Sequence, residues 1–322
     1  MVPRKGVSGG HERVVLATVV GMTAKLTPTA IVLLILPPAL WAGNAIVGRL
    51  VSPLVSPMTL NLLRWAIAFV LLFPMARDVL RPDSALWPQW RQFAVLSLFS
   101  IGGYNALLYL ALNTSTPINV TLVGASMPVW MLLFGRLFFG QRISARQLLG
   151  AVLSIAGVLL VLCRGQWELL LALHLVVGDV YILLASMAWA YYSWMLAHPS
   201  KESQSLRGNW AGYLLAQVAF GLVWSAAFSA GEWIFTPAHI DWSWHLVAAL
   251  LFIAVGPAVI AYRAWGAGVA LAGPTVAGFF INLTPLFTAV LSAAFLGESP
   301  QLFHASAFVL IVSGIVLSSS RR

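Results

Sequence analysis

The chain has 322 residues, of which 60% are hydrophobic and only 8% are charged, and its mean hydropathy is +0.90. This composition lies outside the range of soluble domains and inside that of proteins that cross a membrane several times. The formal net charge of +9 does not indicate nucleic-acid binding, because the basic residues are dispersed and form no single patch among aromatic side chains.

Apolar segments long enough to cross a bilayer follow one another along the chain. A crossing of the ~30 Å hydrocarbon layer takes about 20 apolar residues, and polar, proline-rich or glycine-rich stretches separate the segments. The predicted spans are residues 30–48, 58–76, 93–112, 118–139, 147–163, 178–197, 210–229, 246–269, 274–296 and 303–319. The sequence therefore predicts an all-α membrane protein with ten transmembrane helices.

Two other apolar stretches are too short to span. Residues 14–24 have some features of a signal-peptide core, but no small-residue cleavage site follows them cleanly. We therefore assign residues 1–29 to a basic cytoplasmic tail. The second stretch, residues 167–177, predicts a short interfacial helix leading into the sixth span.

The distribution of lysine and arginine predicts the orientation. With the N-terminus inside the cell, 14 of the 18 basic residues fall in cytoplasmic segments, and only Arg49 and Arg164 fall on the opposite face. Positively charged loops are retained on the cytoplasmic side. We therefore expect a multi-pass protein of the bacterial inner membrane with both termini in the cytoplasm.

A pattern of prolines and glycines occurs twice. Pro117, Pro128 and Gly140 recur as Pro274, Pro285 and Gly297, each 157 residues later. At the same shift Gly157 corresponds to Gly314, and earlier in each half Trp41 in "ALWAGN" resembles Trp189 in "MAWAYY". Residues 30–163 and 178–320 are thus predicted to be two five-helix repeats joined by residues 164–177. Because five is an odd number, the second repeat enters the membrane from the opposite side, an arrangement typical of alternating-access transporters.

Helical stripes of uncharged polar and aromatic residues are the candidate lining of a substrate path. Such a lining suits a small zwitterion with a variable, often apolar side chain. The predicted substrate-binding residues are Trp41, Asn44, Tyr104, Asn105, Tyr109, Ser126, Trp130, Trp189, Tyr192, Tyr262, Arg263 and Asn282. Pro128 and Pro285 are predicted to kink the helices that line the path. Interhelical hydrogen bonds for the Asn and Ser residues, and interface anchoring for the aromatic ones, are the competing interpretations.

All nine acidic residues fall in tails, loops or the ends of spans. Ion-coupled carriers usually need an acidic or histidine relay inside the membrane, so we expect uncoupled efflux. Arg64 and Arg263 have no evident acidic partner, and either could hold a substrate carboxylate; for Arg64, snorkelling to the interface is the alternative.

These features resemble the EamA-type members of the drug/metabolite transporter superfamily. The resemblance covers residues 30–320 and includes the Trp-Ala pair of each half and the Phe-x-Gly exit from each fourth span. Residues 296–298 keep the Leu-Gly-Glu of that family, whereas residues 139–141 depart from it as Phe-Gly-Gln. "GGYNALLYLAL" at residues 102–112 is most similar to the bacterial aromatic amino-acid exporters. The resemblance implies an amino-acid exporter.

Other functions fit the sequence less well. The serines and histidines form no catalytic constellation, and no ring of charges indicates a channel. We predict no enzyme activity, no metal and no cofactor, and we expect a monomer whose partners are a small-molecule substrate, an amino acid, and the lipid bilayer. The alternative is an exporter of other small metabolites or amphipathic drugs, with or without proton coupling.

Overall fold

A computed structural model of the chain describes residues 26–115, 117–166, 168, 174, 176–296 and 301–320. Across these ranges the protein is helical, and the only β-type pairing is a single antiparallel bridge between Val55 and Ile240. The all-α prediction is therefore confirmed. The signal-like stretch 14–24, most of the proposed interfacial helix at 167–177 and the motif residues Gly297 and Glu298 lie outside the described residues.

The helices are numbered here in chain order. They are α1 (Pro28–Val51), α2 (Pro57–Ala76), α3 (Trp90–Ser97), α4 (Gly103–Thr114), α5 (Pro117–Gly124), α6 (Met127–Phe138), α7 (Ala145–Leu162), α8 (Val177–Ala197), α9 (Lys201–Arg207), α10 (Trp210–Phe235), α11 (Trp244–Ile253), α12 (Ala261–Ile281), α13 (Thr284–Leu296) and α14 (Leu302–Ser319). Short π-helical turns, Leu98–Gly102 and Ala254–Ile260, join α3 to α4 and α11 to α12.

Eight helices in the described ranges are long and apolar enough to cross a membrane, which makes this a multi-span membrane protein. They are Pro28–Gly48, Pro57–Leu80, Val120–Phe138, Ala145–Leu162, Val177–Ala197, Trp210–Phe235, Trp244–Ile281 and Leu302–Ser319. The seventh contains 38 residues, well beyond the length that one crossing needs. Gly273 interrupts it with φ 80° and ψ 155°, a conformation that glycine adopts without steric cost.

Local sequence signals explain where several helices begin. Ser144 and Gln147 form a reciprocal capping box at the start of α7, while Asn209 and Ser243 accept backbone N–H groups at the starts of α10 and α11. Each cap satisfies donors that have no partner within the helix.

The two halves of the chain pack against each other throughout their length. Helix α1 packs on α12 and α13 of the second half, and α8 of the second half packs on α4, α5 and α6 of the first. Helices α2 and α10 form one further pair across the halves, and α7 and α14 form another. Neither half is therefore a separate unit with its own core.

The contact between α7 and α14 is made by backbone approaching backbone. A Cβ added at Gly314 would lie 2.6 Å from the carbonyl oxygen of Gly150, and a Cβ added at Gly157 would lie 2.9 Å from that of Ala307. Helices approach this closely in membranes where small residues line the interface. Since residues early in α7 meet residues late in α14, the two helices run antiparallel.

Two helical runs are interrupted at equivalent places. The helix ends at Gly124 and begins again at Met127, and in the second half it ends at Ile281 and begins again at Thr284. Pro128 and Pro285, the predicted kink residues, lie in the first turn after each interruption, where the missing proline N–H costs no helical hydrogen bond.

Candidate substrate-binding site

Seven aromatic rings from both halves meet in the interior, and we call this group the central aromatic cluster. Neighbouring rings have centroid separations between 4.9 and 6.5 Å. Its members are Trp41 on α1, Trp65 on α2, Tyr104 on α4, Trp189 and Tyr192 on α8, and Tyr262 and Trp265 on α12. Five different helices thus converge on one apolar centre with polar edges.

Trp189 is the centre of the cluster. Its ring lies 5.2 Å from that of Trp41 in an edge-to-face arrangement, 5.0 Å from Tyr104 and 5.4 Å from Tyr262. Edge-to-face and tilted pairs at such distances are favourable because the ring edge is positive and the face negative. A change at Trp189 therefore affects rings contributed by both halves.

Several polar atoms of the cluster have partners within the protein. The indole nitrogen of Trp265 donates to Ser193 Oγ at 3.2 Å, and that of Trp41 donates to the carbonyl oxygen of Pro257 at 3.3 Å. The hydroxyl of Tyr192 donates to Gln217 Oε1 at 3.1 Å. Each bond holds its ring in one orientation, and for the buried Trp265 and Tyr192 it also satisfies a donor that would be costly to leave without a partner.

Four buried polar atoms in this region have no hydrogen-bond partner in the described part of the chain. They are Asn61 Oδ1, Arg64 Nε, Trp65 Nε1 and Trp189 Nε1. Unpartnered buried groups are rare in proteins, and each costs about 1–3 kcal/mol. Their grouping beside the aromatic rings indicates a place where a polar ligand or water completes the hydrogen bonding.

Of the residues that the sequence predicted to bind substrate, some lie in the central aromatic cluster and others lie elsewhere. The structure brings Trp41, Tyr104, Trp189, Tyr192 and Tyr262 together in the cluster. The side chain of Tyr109 lies outside the described residues, and Asn44 is half-buried on α1, about one turn beyond Trp41.

Two predicted polar residues, Asn105 and Ser126, and the aromatic Trp130 form hydrogen bonds within the protein itself. Asn105 Nδ2 donates to the carbonyl oxygen of Ile101 at 3.2 Å within its own helical run. Ser126 Oγ donates to the carbonyl oxygen of Val123 at 2.6 Å and accepts from the Trp130 indole nitrogen at 3.0 Å. The half-buried ring of Trp130 packs near Phe134 at 6.0 Å, not in the cluster.

Asn282 bridges the two helix interruptions. Its side-chain nitrogen donates to Ser154 Oγ at 2.9 Å and to the carbonyl oxygen of Ala125 at 3.4 Å. Ala125 directly follows α5. Asn282 therefore donates to a carbonyl oxygen at a helix end, where carbonyl groups lack partners within the helix. These contacts favour the interhelical hydrogen-bond interpretation for Asn282.

The two intramembrane arginines are placed differently. Arg263 is exposed and lies over the ring of Trp210 at 5.3 Å, while its neighbour Tyr262 points into the cluster. Arg64 is buried, with its guanidinium over the Trp65 ring at 5.2 Å.

Sequence reasoning missed Trp65, Trp265 and Asn61. Two signals could have found them: Trp265 follows Tyr262 by three positions, and Asn61 and Trp65 are four positions apart. Such spacings place residues on one helical face.

Two acidic side chains near the ends of spans, Glu232 and Asp179, are hydrogen-bonded at helix starts. Glu232 accepts the backbone N–H groups of Met58 and Thr59, each at 2.9 Å, at the start of α2. Asp179 accepts from Ser115 Oγ and from the backbone N–H of Val176 at the start of α8. A carboxylate at a helix N-terminus is stabilised by the free N–H groups and the helix dipole.

Comparisons with known proteins give relatives along nearly the whole chain. An uncharacterised transporter of Archaeoglobus fulgidus is 26% identical over 293 residues, which cover 90% of this chain and 97% of the relative. The aromatic amino acid exporter YddG of Ancylobacter novellus is 24% identical over 233 residues, covering 72% and 76% of the two chains. A solved crystal structure with a TM-score of 0.69 and 22% identity covers 90% of this chain and 96% of its own, and it supports the fold alone.

The sequence model of the EamA-like transporter family matches residues 28–163 and again residues 176–320. The family and these named relatives are transporters and not enzymes. This chain therefore belongs to the EamA-like transporter family, within the drug/metabolite transporter superfamily.

Proposed function

We propose that this transporter exports neutral amino acids, including aromatic ones, across the bacterial inner membrane by alternating access and without ion coupling. The observation that carries the proposal is the central aromatic cluster, in which rings from both halves lie beside indole nitrogens that have no partner among the described residues. An apolar pocket with a few oriented polar groups suits a small amphipathic solute.

The relative from Ancylobacter novellus supports the choice of substrate class. That protein is named an aromatic amino acid exporter. Stacking surfaces for a substrate ring are available here at Trp41, Tyr104 and Trp189, of which Trp41 and Tyr104 are only half-buried.

We further propose ten spans, two more than length and composition identify. The run of α3, its π turn and α4 covers residues 90–114 without a break, long enough for one crossing. The interruption at Gly273 ends one crossing of the run 244–281, and residues 274–281 continue with α13 to Leu296 as the next crossing. Five spans then precede the 164–177 connection and five follow it.

Reciprocal contacts support an inverted relation between the halves. Under the 157-residue shift, Gly150 corresponds to Ala307 and Gly157 to Gly314; the close contacts are Gly150 with Gly314 and Gly157 with Ala307. A two-fold axis produces such crossed pairs.

Two other contacts join equivalent positions directly. Asn282 donates to Ala125, its own equivalent at a separation of 157 residues, and the Trp41 and Trp189 rings touch. Positions close to a two-fold axis meet their own counterparts. Because α7 and α14 are antiparallel, the axis that relates them lies across the helices, as inverted repeats require.

Contacts between segments at the ends of the spans support the proposed orientation in the membrane. Ser200 Oγ donates to Gln92 Oε1 at 3.1 Å, so the loop before α9 and the first turn of α3 lie on one face of the protein. His239 and Ser56 pair at the opposite ends of α10 and α2, with His239 N donating to Ser56 Oγ at 2.8 Å. The first face carries most of the loop arginines and is the proposed cytoplasmic face.

Uncoupled transport is proposed because Asp179 and Glu232 are both engaged at helix starts and not at the rings. A proton or sodium relay normally uses a carboxylate beside the substrate path.

The test is efflux of labelled amino acids from proteoliposomes that contain the full chain, with and without an imposed pH gradient. We expect saturable efflux of phenylalanine and leucine whose rate is the same in both conditions. A rate that follows the gradient would overturn the uncoupled mechanism. Efflux of amphipathic cations but of no amino acid, by folded protein, would transfer the assignment to a drug or metabolite exporter.

A further inference from the structure

We propose that α2 carries a subsite for the charged headgroup of an α-amino acid, formed by Asn61, Arg64 and Trp65 beside the central aromatic cluster. The inference rests on the proposed function and narrows it, because it makes a carboxylate obligatory in the substrate. It also assigns Arg64, and not Arg263, to that carboxylate.

The three residues lie on one face of α2 and are all buried. Their spacing of i, i+3 and i+4 places them side by side along the helix. The exposed fractions are 1% for Asn61, 4% for Arg64 and 0% for Trp65. At 4% exposure the Arg64 guanidinium does not reach an interface, so snorkelling does not explain it.

Arg64 has no counter-charge in the described part of the chain. Its Nε has no hydrogen-bond partner among the described residues, and its guanidinium lies over the Trp65 ring, 5.2 Å from the centroid. The carboxylate that reaches α2, that of Glu232, is bound by Met58 N, Thr59 N and Thr59 Oγ1 at 2.8–2.9 Å. An unpaired charge buried in a membrane protein is expensive, which favours a site completed by an anion.

Asn61 supplies the complementary acceptor. Its side-chain nitrogen donates to Ser225 Oγ at 3.1 Å and to the carbonyl oxygen of Ile101 at 3.4 Å. These bonds fix the amide and leave Oδ1 without a donor in the part of the chain that the structure describes. A substrate ammonium provides such a donor. A substrate carboxylate in turn accepts from Arg64 and from the indole N–H of Trp65.

The position of Trp65 connects the headgroup to the rings. Its ring lies 4.9 Å from that of Tyr262, which lies 5.4 Å from Trp189. An amino acid held at α2 therefore directs its side chain toward the central aromatic cluster. Water alone could satisfy Asn61 and Trp65, but it would leave the charge of Arg64 uncompensated.

The transport test compares three solutes that share a phenyl ring. Phenylalanine has both charges, 3-phenylpropionate has only the carboxylate, and phenethylamine has only the ammonium. In wild-type proteoliposomes we expect phenylalanine to move fastest, 3-phenylpropionate more slowly and phenethylamine at the background rate. Equal efflux of phenethylamine and phenylalanine would overturn the subsite.

The variants are Arg64→Gln and Arg64→Lys, with Arg91→Gln as the matched control. Arg91 also lies over an adjacent tryptophan, Trp90, at 5.5 Å, but it is exposed. We expect Arg64→Gln to lower phenylalanine efflux about 10- to 100-fold, as befits lost charge-assisted hydrogen bonds, with Arg64→Lys intermediate and Arg91→Gln unchanged. Retention within two-fold in Arg64→Gln overturns the proposal.

A thermal measurement separates the subsite from a structural role and does not depend on transport. The empty Arg64→Gln protein in detergent should unfold at the same temperature as wild type or higher, because an unpaired buried charge is removed, and phenylalanine should no longer raise that temperature. A clear fall in the unfolding temperature overturns the proposal. If wild type moves 3-phenylpropionate in an Arg64-dependent way but no amino acid, the amino-acid assignment fails and the carboxylate subsite stands.

Discussion

The two halves of the chain meet in two different kinds of contact. Along α7 and α14, glycines bring backbone against backbone, and Ser154 beside them is hydrogen-bonded to Asn282. At the central aromatic cluster the halves meet through large rings, and the nitrogens of Trp65 and Trp189 have no partner in the described residues.

The difference separates assembly from transport. Tight backbone contacts with satisfied polar groups leave little room for rearrangement, because protein interiors are close-packed. Aromatic rings with unsatisfied edges can exchange one set of contacts for another when a solute enters. We therefore assign the glycine contact to holding the halves together and the aromatic contact to binding the substrate.

Gly314→Ala should give the largest effect. The added Cβ would lie 2.6 Å from the carbonyl oxygen of Gly150 and 3.0 Å from Ser154 Cβ, and backbone cannot yield as a flexible side chain can. We expect destabilisation by about 3 kcal/mol or more, seen as a lower unfolding temperature and a poor yield of monodisperse protein. Gly266→Ala, where the new Cβ has nothing within 4 Å, is the control; equal behaviour of the two variants would contradict the tight contact.

Asn282→Ala tests the polar part of the same interface. It removes the bonds to Ser154 and Ala125 and leaves buried groups without partners, so we expect a loss of about 1–3 kcal/mol. Thermal unfolding measures the loss. Efflux of phenylalanine per folded molecule should stay near wild type, and a selective loss of transport would instead return Asn282 to the substrate path.

Two Trp→Phe substitutions compare partnered and unpartnered indoles within the cluster. Trp265→Phe breaks the bond to Ser193 and should cost about 1 kcal/mol beyond the lost ring area. Trp189→Phe removes a nitrogen that has no partner in the described part of the chain, so we expect a several-fold loss of phenylalanine efflux with little loss of stability. Efflux and unfolding temperature are measured for both variants. If Trp189→Phe mainly lowered the unfolding temperature and Trp265→Phe mainly lowered efflux, Trp189 would not belong to the substrate site.

Glu232→Gln should give the smallest effect. The amide keeps one acceptor for the N–H groups at the start of α2 but loses the charge that the helix dipole favours. We expect a loss of about 0.3–1 kcal/mol, seen as a small fall in unfolding temperature, and unchanged substrate selectivity. A change in substrate selectivity would show that Glu232 at the start of α2 influences substrate binding at Asn61 and Arg64.

Periodicity and composition were enough to predict the helical fold class and five of the seven clustered rings. The sequence did not predict how deeply each side chain is buried or which way it points from its helix. Arg64 lies within two turns of the predicted outer end of its span, which favoured an interface position, yet in the structure it is buried. Arg263 adjoins Tyr262, but one residue turns a helix by about 100° and places the arginine outside the cluster.

The packing of helices from the first half on helices from the second half has a consequence for biogenesis. Helices α1 and α2 pack mainly on helices that are synthesised much later, and the partner of α7 is the last helix, α14. A nascent chain leaving the translocon thus holds incompletely covered helices until the final span inserts. Chains truncated by a stop codon anywhere before α14 should therefore be degraded by proteases and should not form smaller working transporters.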